Sequence, residues 1–237
     1  MISRSKIQLI PWDPESPDHI QRLVEQRVQC GWHQLRVASK WRDEQRSGVR
    51  CLYWICFSPG DPELEEKLRR HRDAYPKEKD ALRDTGASIR GVPRTPSMAD
   101  IHPIGHISLD QGNSDAADLN LDLPDSGVYW IKNFYISNVL QSGGVGRAAM
   151  DMIEAMAVEE PLCAKTLALD TVHVDDQVLN AGFFTAQGLP QRKMSNHEWY
   201  RRRGYREIKV VQNFYREPDA EGNIWDIKTV FMRRDIG

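Results

Sequence analysis

Apolar and polar positions alternate over Lys6 to Pro11, which predicts a first strand. From Ser16-Pro17 the period changes. Ile20, Leu23, Val24 and Val28 recur at helical spacing, with Pro17 at the tolerated first turn and Gly31 as a stop, so a helix runs to about Cys30. A second helical stretch is expected over His33 to Gln45. Arg50 to Ser58 (RCLYWICFS) is dense in large apolar residues and predicts a buried strand. Asp61-Pro62 reads as the cap of a charged helix, with Glu63, Glu65 and Glu66 in its first turn and Arg69, Arg70 and Arg72 in its last, matching the helix dipole. Its apolar face (Leu64, Leu68, Tyr75) is thin, which predicts an exposed helix. Gly86 to Asp100, with two prolines, predicts a loop, so residues 59–100 form a polar helical insert.

Strands follow at Ile104 to Asp110 and Val128 to Ser137, separated by an acidic connection from Gly112 to Gly127. Gln141-Ser142-Gly143-Gly144-Val145-Gly146 then leads into a helix. Val145, Ala148, Ala149, Met152, Ile153, Met156 and Ala157 form its apolar face. Thr166 to Val172 predicts another strand, Asn196 to Arg203 a short helix closed by Gly204. Arg206 to Arg216 and Ile224 to Arg233 predict a hairpin, in which Trp225, Ile227, Thr229 and Phe231 alternate. No linker divides the chain. The order predicts one mixed α/β domain over residues 1–237.

Of the 237 residues, 40% are apolar and 28% charged, and the formal net charge is −2. That balance suits a soluble globular protein and gives no electrostatic reason to expect nucleic acid or an anionic membrane as partner. The longest clean apolar run, Leu52 to Phe57, is far too short to span a bilayer. Cys30, Cys51, Cys56 and Cys163 include no C-x-x-C pair, which argues against a metal site and for a reducing, cytoplasmic home.

The strand, glycine turn and helix from Phe134 to Met156 carry the strongest chemical signal. A helix N-terminus presents unpaired N–H groups and the positive end of a dipole, and glycines let main chain wrap an anion. Gln141 to Arg147 is therefore expected to bind a phosphate group, against the plainer reading of a tight connection that binds nothing. No P-loop string G-x-x-x-x-G-K-[ST] is present. Gly144-x-Gly146-x-x-Ala149 does match a Rossmann variant, and Asp170 ends the next strand where a ribose-binding acid belongs. The glycines lie several residues beyond the strand, however, and an antiparallel hairpin follows. A nucleotide-dependent oxidoreductase stays open as the lesser alternative.

Gln141-x-x-Gly144-x-Gly146, preceded by Phe134-x-Ile136 and followed by Trp199-Tyr200-Arg201-Arg202-Arg203-Gly204-Tyr205, resembles the motifs of the GNAT acyl-CoA N-acyltransferases. The resemblance runs from about Ile104 to Arg233, and FYIS-x-x-LQ-x-GG-x-GRAAM is similar to fungal members. It implies a central, mostly antiparallel sheet splayed between the fourth and fifth strands, with helices on both faces. It also implies transfer of an acetyl group from acetyl-CoA to a primary amine, by direct attack in a ternary complex and without a metal.

Under this resemblance the main chain of Phe134, Tyr135 and Ile136 would meet the pantetheine arm. Gln141, Ser142, Gly143, Gly144, Val145, Gly146 and Arg147 would hold the diphosphate. The Ile136 amide would polarise the thioester carbonyl, and Tyr200 would donate the proton to the leaving thiolate. For the base there are Asp170, His173 and His106, or a water chain; each side chain has an ordinary structural alternative. Arg147 and Arg201 to Arg203 would approach phosphates or simply be solvated. Trp32, Trp41 and Trp54 would line an acceptor pocket or build core.

Two departures are visible. The family's Asn, about seven residues before the Tyr, has its nearest counterpart in Asn196, four before. The strand Val128 to Ser137 carries no Asp or Glu. They leave open a non-catalytic acyl-CoA-binding module on the same fold. The acceptor is expected to be a small-molecule amine rather than a protein, and the last two strands are candidates for pairing a homodimer.

Overall fold

The computed structural model describes residues 6–179, 182–186, 188–189, 194–215 and 221–236. Contacts divide the chain into two compact units, each built from separated stretches: residues 1–112 with 131–157, and residues 113–130 with 158–237.

The first unit opens with β1 (Ile7–Pro11) and α1 (Pro17–Cys30). Ser16 caps α1 by accepting from the His19 amide, and Gly31 closes it in the left-handed region at φ 83°. The second helical stretch starts one turn later than the pattern suggests. A π-turn over Val37–Trp41 precedes α2 (Arg42–Ser47), which turns Val37 and Trp41 inward. β2 (Leu52–Phe57) is buried along its whole length. Trp12, Leu23, Val37, Trp41, Leu52, Trp54 and Cys56 form a continuous core with Leu82 and Ile101. Trp41 and Trp54 are therefore core residues, each of which contributes on the order of 2–3 kcal/mol by burial.

The insert is more ordered than its composition suggests. α3 (Leu64–Ala74) begins after Glu63, which makes no side-chain cap. The expected cap, Asp61, is occupied elsewhere: its carboxylate accepts from the Glu63 amide at 2.9 Å and pairs with Lys67. The helix is not simply exposed either, because Leu68 and His71 are buried. The stretch expected as a loop forms two small ladders, β3 (Leu82–Arg83) with β6 (Asp100–Ile101) and β4 (Ser88–Ile89) with β5 (Val92–Pro93). The Arg94 guanidinium grips Asp84 across them at 2.6 Å and holds its carboxyl at about 2. β7 (Pro103–Asp110), β8 (Val128–Ile136) and α4 (Val145–Val158) complete the main elements. β8 passes from the second unit, at residues 128–130, into the first.

The second unit adds β9 (Thr166–Val172), α5 (Gly182–Ala186), α6 (Asn196–Arg202), β10 (Arg206–Gln212) and β11 (Lys228–Asp235). β10 stops where Asn213 turns to φ 53°. β11 starts later than the alternation predicts, and Trp225 and Ile227 precede it. Val230, Phe231 and Met232 are all buried, so both faces of this strand are covered and the period of two fades there. The expected connection after Arg216 lies partly outside the described residues.

Among the described residues seven strands are hydrogen-bonded in the order β1-β2-β7-β8-β9-β11-β10. β1 with β2, β2 with β7, β9 with β11 and β10 with β11 are antiparallel. β8 and β9 are parallel over Val128–Trp130. This is a mixed α/β fold with a mostly antiparallel sheet. The Rossmann alternative, which needs successive parallel βαβ units, does not fit it.

Candidate functional site

In the first unit the expected phosphate turn lies at the end of β8. Ser137 donates its amide to the Ile104 carbonyl at 2.8 Å, and the Tyr135 carbonyl abuts Gly105, so residues 135 and 137 turn their main-chain groups toward β7. Alternation then points those of Phe134 and Ile136 the other way, out of the edge that β8 forms in this unit. The strand needs two local adjustments. Asn133 takes φ 52°, and Ser108 receives its amide at 3.4 Å while donating to the Lys132 carbonyl at 3.1 Å.

Past β8 the chain makes one 3₁₀ turn over Asn138–Leu140 and reaches Gln141. The Gln141 amide folds back onto the Ile136 carbonyl and the Asn138 side chain, both at 3.0 Å. Ser142 and Gly144 adopt φ 68° and 83°, and Ser142, Gly143 and Gly144 are exposed. Ala148, donating to the Gly144 carbonyl at 3.0 Å, opens the helical ladder. The amides ahead of it belong to the turn whose N–H groups have no acceptor within their own helix. No acidic side chain stands in the first turn of α4. A Cβ on Gly146 would meet Phe134 at 3.6 Å and Ile136 at 4.0 Å, so the helix start packs directly on the strand that precedes it. Arg147 is exposed, 4.0 Å from Asp151.

His106 lies in this unit too, wholly buried. Its Nδ1 is 2.9 Å from the Gln26 side chain, its Nε2 is 3.3 Å from Arg27, and burial together with the Arg27 charge pushes its pKa well below the ordinary value. Tyr135 donates to Gln29 at 2.6 Å, and burial raises its phenol.

The other expected proton-transfer residues lie in the second unit. Tyr200 is buried on α6, edge-on to Trp199 and Tyr205. Ser195 and Glu198 form a capping box that fixes the start of the helix. His173, just past β9, is brought against the same helix through a residue that the sequence did not single out. The ring of His197 lies 5.0 Å from that of His173 and reaches Glu207 with Nε2 at 3.0 Å. Burial lowers the pKa of His197 despite Glu207. Asp170 accepts from the Tyr215 hydroxyl and, at 3.4 Å, from Asn113. Arg203 stacks on Trp199, with its guanidinium carbon 5.4 Å from the ring.

Gly105, Asn133, His71, His197 and Tyr215 carry no periodic or motif signal that would have found them. Each matters through a neighbour distant in sequence. Among the described residues no group of His, Cys, Asp and Glu is arranged to hold a metal ion, and no helix is long and apolar enough to cross a membrane.

This chain has the GNAT fold. Among solved structures it is similar to Arabidopsis thaliana NAA60 in complex with a bisubstrate analogue. The TM-score is 0.52 at 11% identity, over 98% of this chain and 99% of that one. It is similar also to the acetyl-CoA complex of the same protein, with TM-score 0.50 at 10% identity, over 97% and 98%. No protein-family model matches the sequence, and no curated protein matches it.

Proposed function

We propose that the protein is an N-acetyltransferase that moves the acetyl group of acetyl-CoA to a primary amine, both held together in a ternary complex. The observation that carries this reading is the outward edge of β8. Its Phe134 and Ile136 main-chain groups run through Gln141 into an exposed glycine turn at the start of a 14-residue helix. An extended pantetheine arm suits such an edge, and a diphosphate suits the amides of Gly143 to Arg147. The acetyl-CoA complex of the similar NAA60 fold adds support.

In this reading the Ile136 N–H polarises the thioester carbonyl. The amine attacks the carbonyl carbon, the C–S bond breaks, and Tyr200 gives the thiolate its proton. The proton lost by the nitrogen passes to Asp170, to His173 or to water. His106, enclosed by Gln26 and Arg27, serves packing instead. The acceptor is a small amine, and the protein works in a reducing, cytoplasmic compartment, with its four cysteines as free thiols.

Isothermal titration with acetyl-CoA, CoA and NAD, followed by free-thiol release with a panel of amines, tests the proposal. Heat with the first two ligands and thiol release with an amine is the expected result. Absence of heat with both CoA species would overturn it. Heat without thiol release from any amine would favour an acyl-CoA-binding module, a reading that the lack of a carboxylate on β8 supports.

A further inference from the structure

The insert sends two side chains from α3 to the segment between β8 and the glycine turn. His71, buried, has Nδ1 2.9 Å from the hydroxyl of Ser137, the residue after Ile136. Arg70, exposed, donates to the Val139 carbonyl at 2.7 Å. His71 is itself held from behind. Its Nε2 lies 3.3 Å from Glu78 Oε2. Glu78 is buried and takes the side-chain amides of Gln26 at 2.8 Å and Gln29 at 2.5 Å. Burial alone would raise the Glu78 carboxyl. The contacts with His71, Gln26 and Gln29 together outweigh it and leave the group below its ordinary value, as a buried anion.

A buried charge with this many partners has few alternative positions, because moving it strands polar groups away from water. The anchor therefore transmits stiffness. It runs from Glu78 through His71 to Ser137, and Ser137 is pinned in turn to Ile104. The residues so fixed lie directly between the Ile136 amide and Gln141. Nothing about the general stability of a surface insert requires two side chains to converge on these few residues.

We propose that Arg70, His71 and Glu78 are positioning residues for coenzyme A: the insert clamps residues 137–139 and so sets the aim of the Ile136 amide and of the amides at the start of α4. The inference rests on the acetyl-CoA reading above. It gives the insert a role in cofactor binding rather than in acceptor choice.

Calorimetry with CoA, steady-state kinetics and thermal melts on the full chain test it. Arg70→Ala removes an exposed side chain and should fold normally, yet bind CoA about three- to tenfold more weakly. His71→Ala should do so by at least as much. His71→Asn places an amide near the former Nδ1 and should recover part of the loss. In each case KM for acetyl-CoA should rise while KM for the amine stays, a split that general loss of stability would not produce. Wild-type CoA affinity in both Arg70→Ala and His71→Ala would overturn the clamp, as would an acetyl group mapped to Ser137 after incubation with acetyl-CoA, since that hydroxyl would then be a nucleophile. If the wild-type chain itself binds no CoA, the acetyl-CoA reading fails and the clamp falls with it.

Discussion

Gly105 and Tyr135 approach so closely that a methyl group built on Gly105 would sit 2.2 Å from the Tyr135 carbonyl oxygen and 3.1 Å from the Ile136 Cα. The obstacle is main chain, so no side-chain rotation relieves it. Glycine at this point of β7 lets the end of β8 lie where its next residues can turn outward. Gly105→Ala is expected to destabilise the protein by about 3 kcal/mol and to weaken CoA binding in whatever fraction folds. Urea unfolding and calorimetry on the same preparation check both.

The glycines of the turn should respond with opposite signs. Gly144 has open space around a Cβ but a φ of 83°, so Gly144→Ala costs about 1 kcal/mol through backbone strain alone. Gly146 lies inside α4, and its added Cβ would make ordinary contacts. Gly146→Ala should therefore gain up to about 1 kcal/mol of helix stability. Chemical denaturation distinguishes the two. A loss of CoA affinity in Gly146→Ala despite greater stability would mark close approach of the ligand to this amide.

Tyr200→Phe keeps the ring contacts with Trp199 and Tyr205 and removes only the hydroxyl. If that hydroxyl protonates the thiolate, kcat falls by about a hundredfold and the alkaline limb of the pH profile moves. An unchanged kcat across pH would take the acid role away from Tyr200.

His106 and His197 both have folded pKa values below the unfolded one, the first well below, with burial the largest cause in each. The unfolded chain then binds more protons near pH 6, so this part of the stability is fully present above about 6.5 and is lost as pH falls through the folded values. Each such group contributes a slope of at most about 1.4 kcal/mol per pH unit inside its window. Urea midpoints should drop between pH 7.5 and 5.5, and His106→Gln should flatten that drop while lowering the plateau. The same slope in His106→Gln as in wild type would exclude this origin.

The motif residues of the turn were legible because their chemistry is local. Gln141, Gly144 and Gly146 serve one loop, and a loop's φ values and exposed amides follow from its own few residues. Strand and helix periods were legible for the same reason, and Thr166–Val172 is a strand over the same residues that the pattern gave. Where the period misled, at Trp225 and Ile227 ahead of β11, the alternation of burial is present but the strand ladder is not, because pairing with β9 begins only near Lys228 and Thr229.

Local order in this chain, its main elements and the glycine turn ahead of α4, was therefore determined by the sequence alone, through side-chain periodicity and the backbone freedom of glycine. Tertiary structure decided the rest. It set Gly105 against Tyr135, His71 against Ser137, and His173 against His197, and it enclosed His106. Those pairings join residues far apart along the chain. Their energies depend on burial and on partners that no local pattern encodes, so only the folded core could select them.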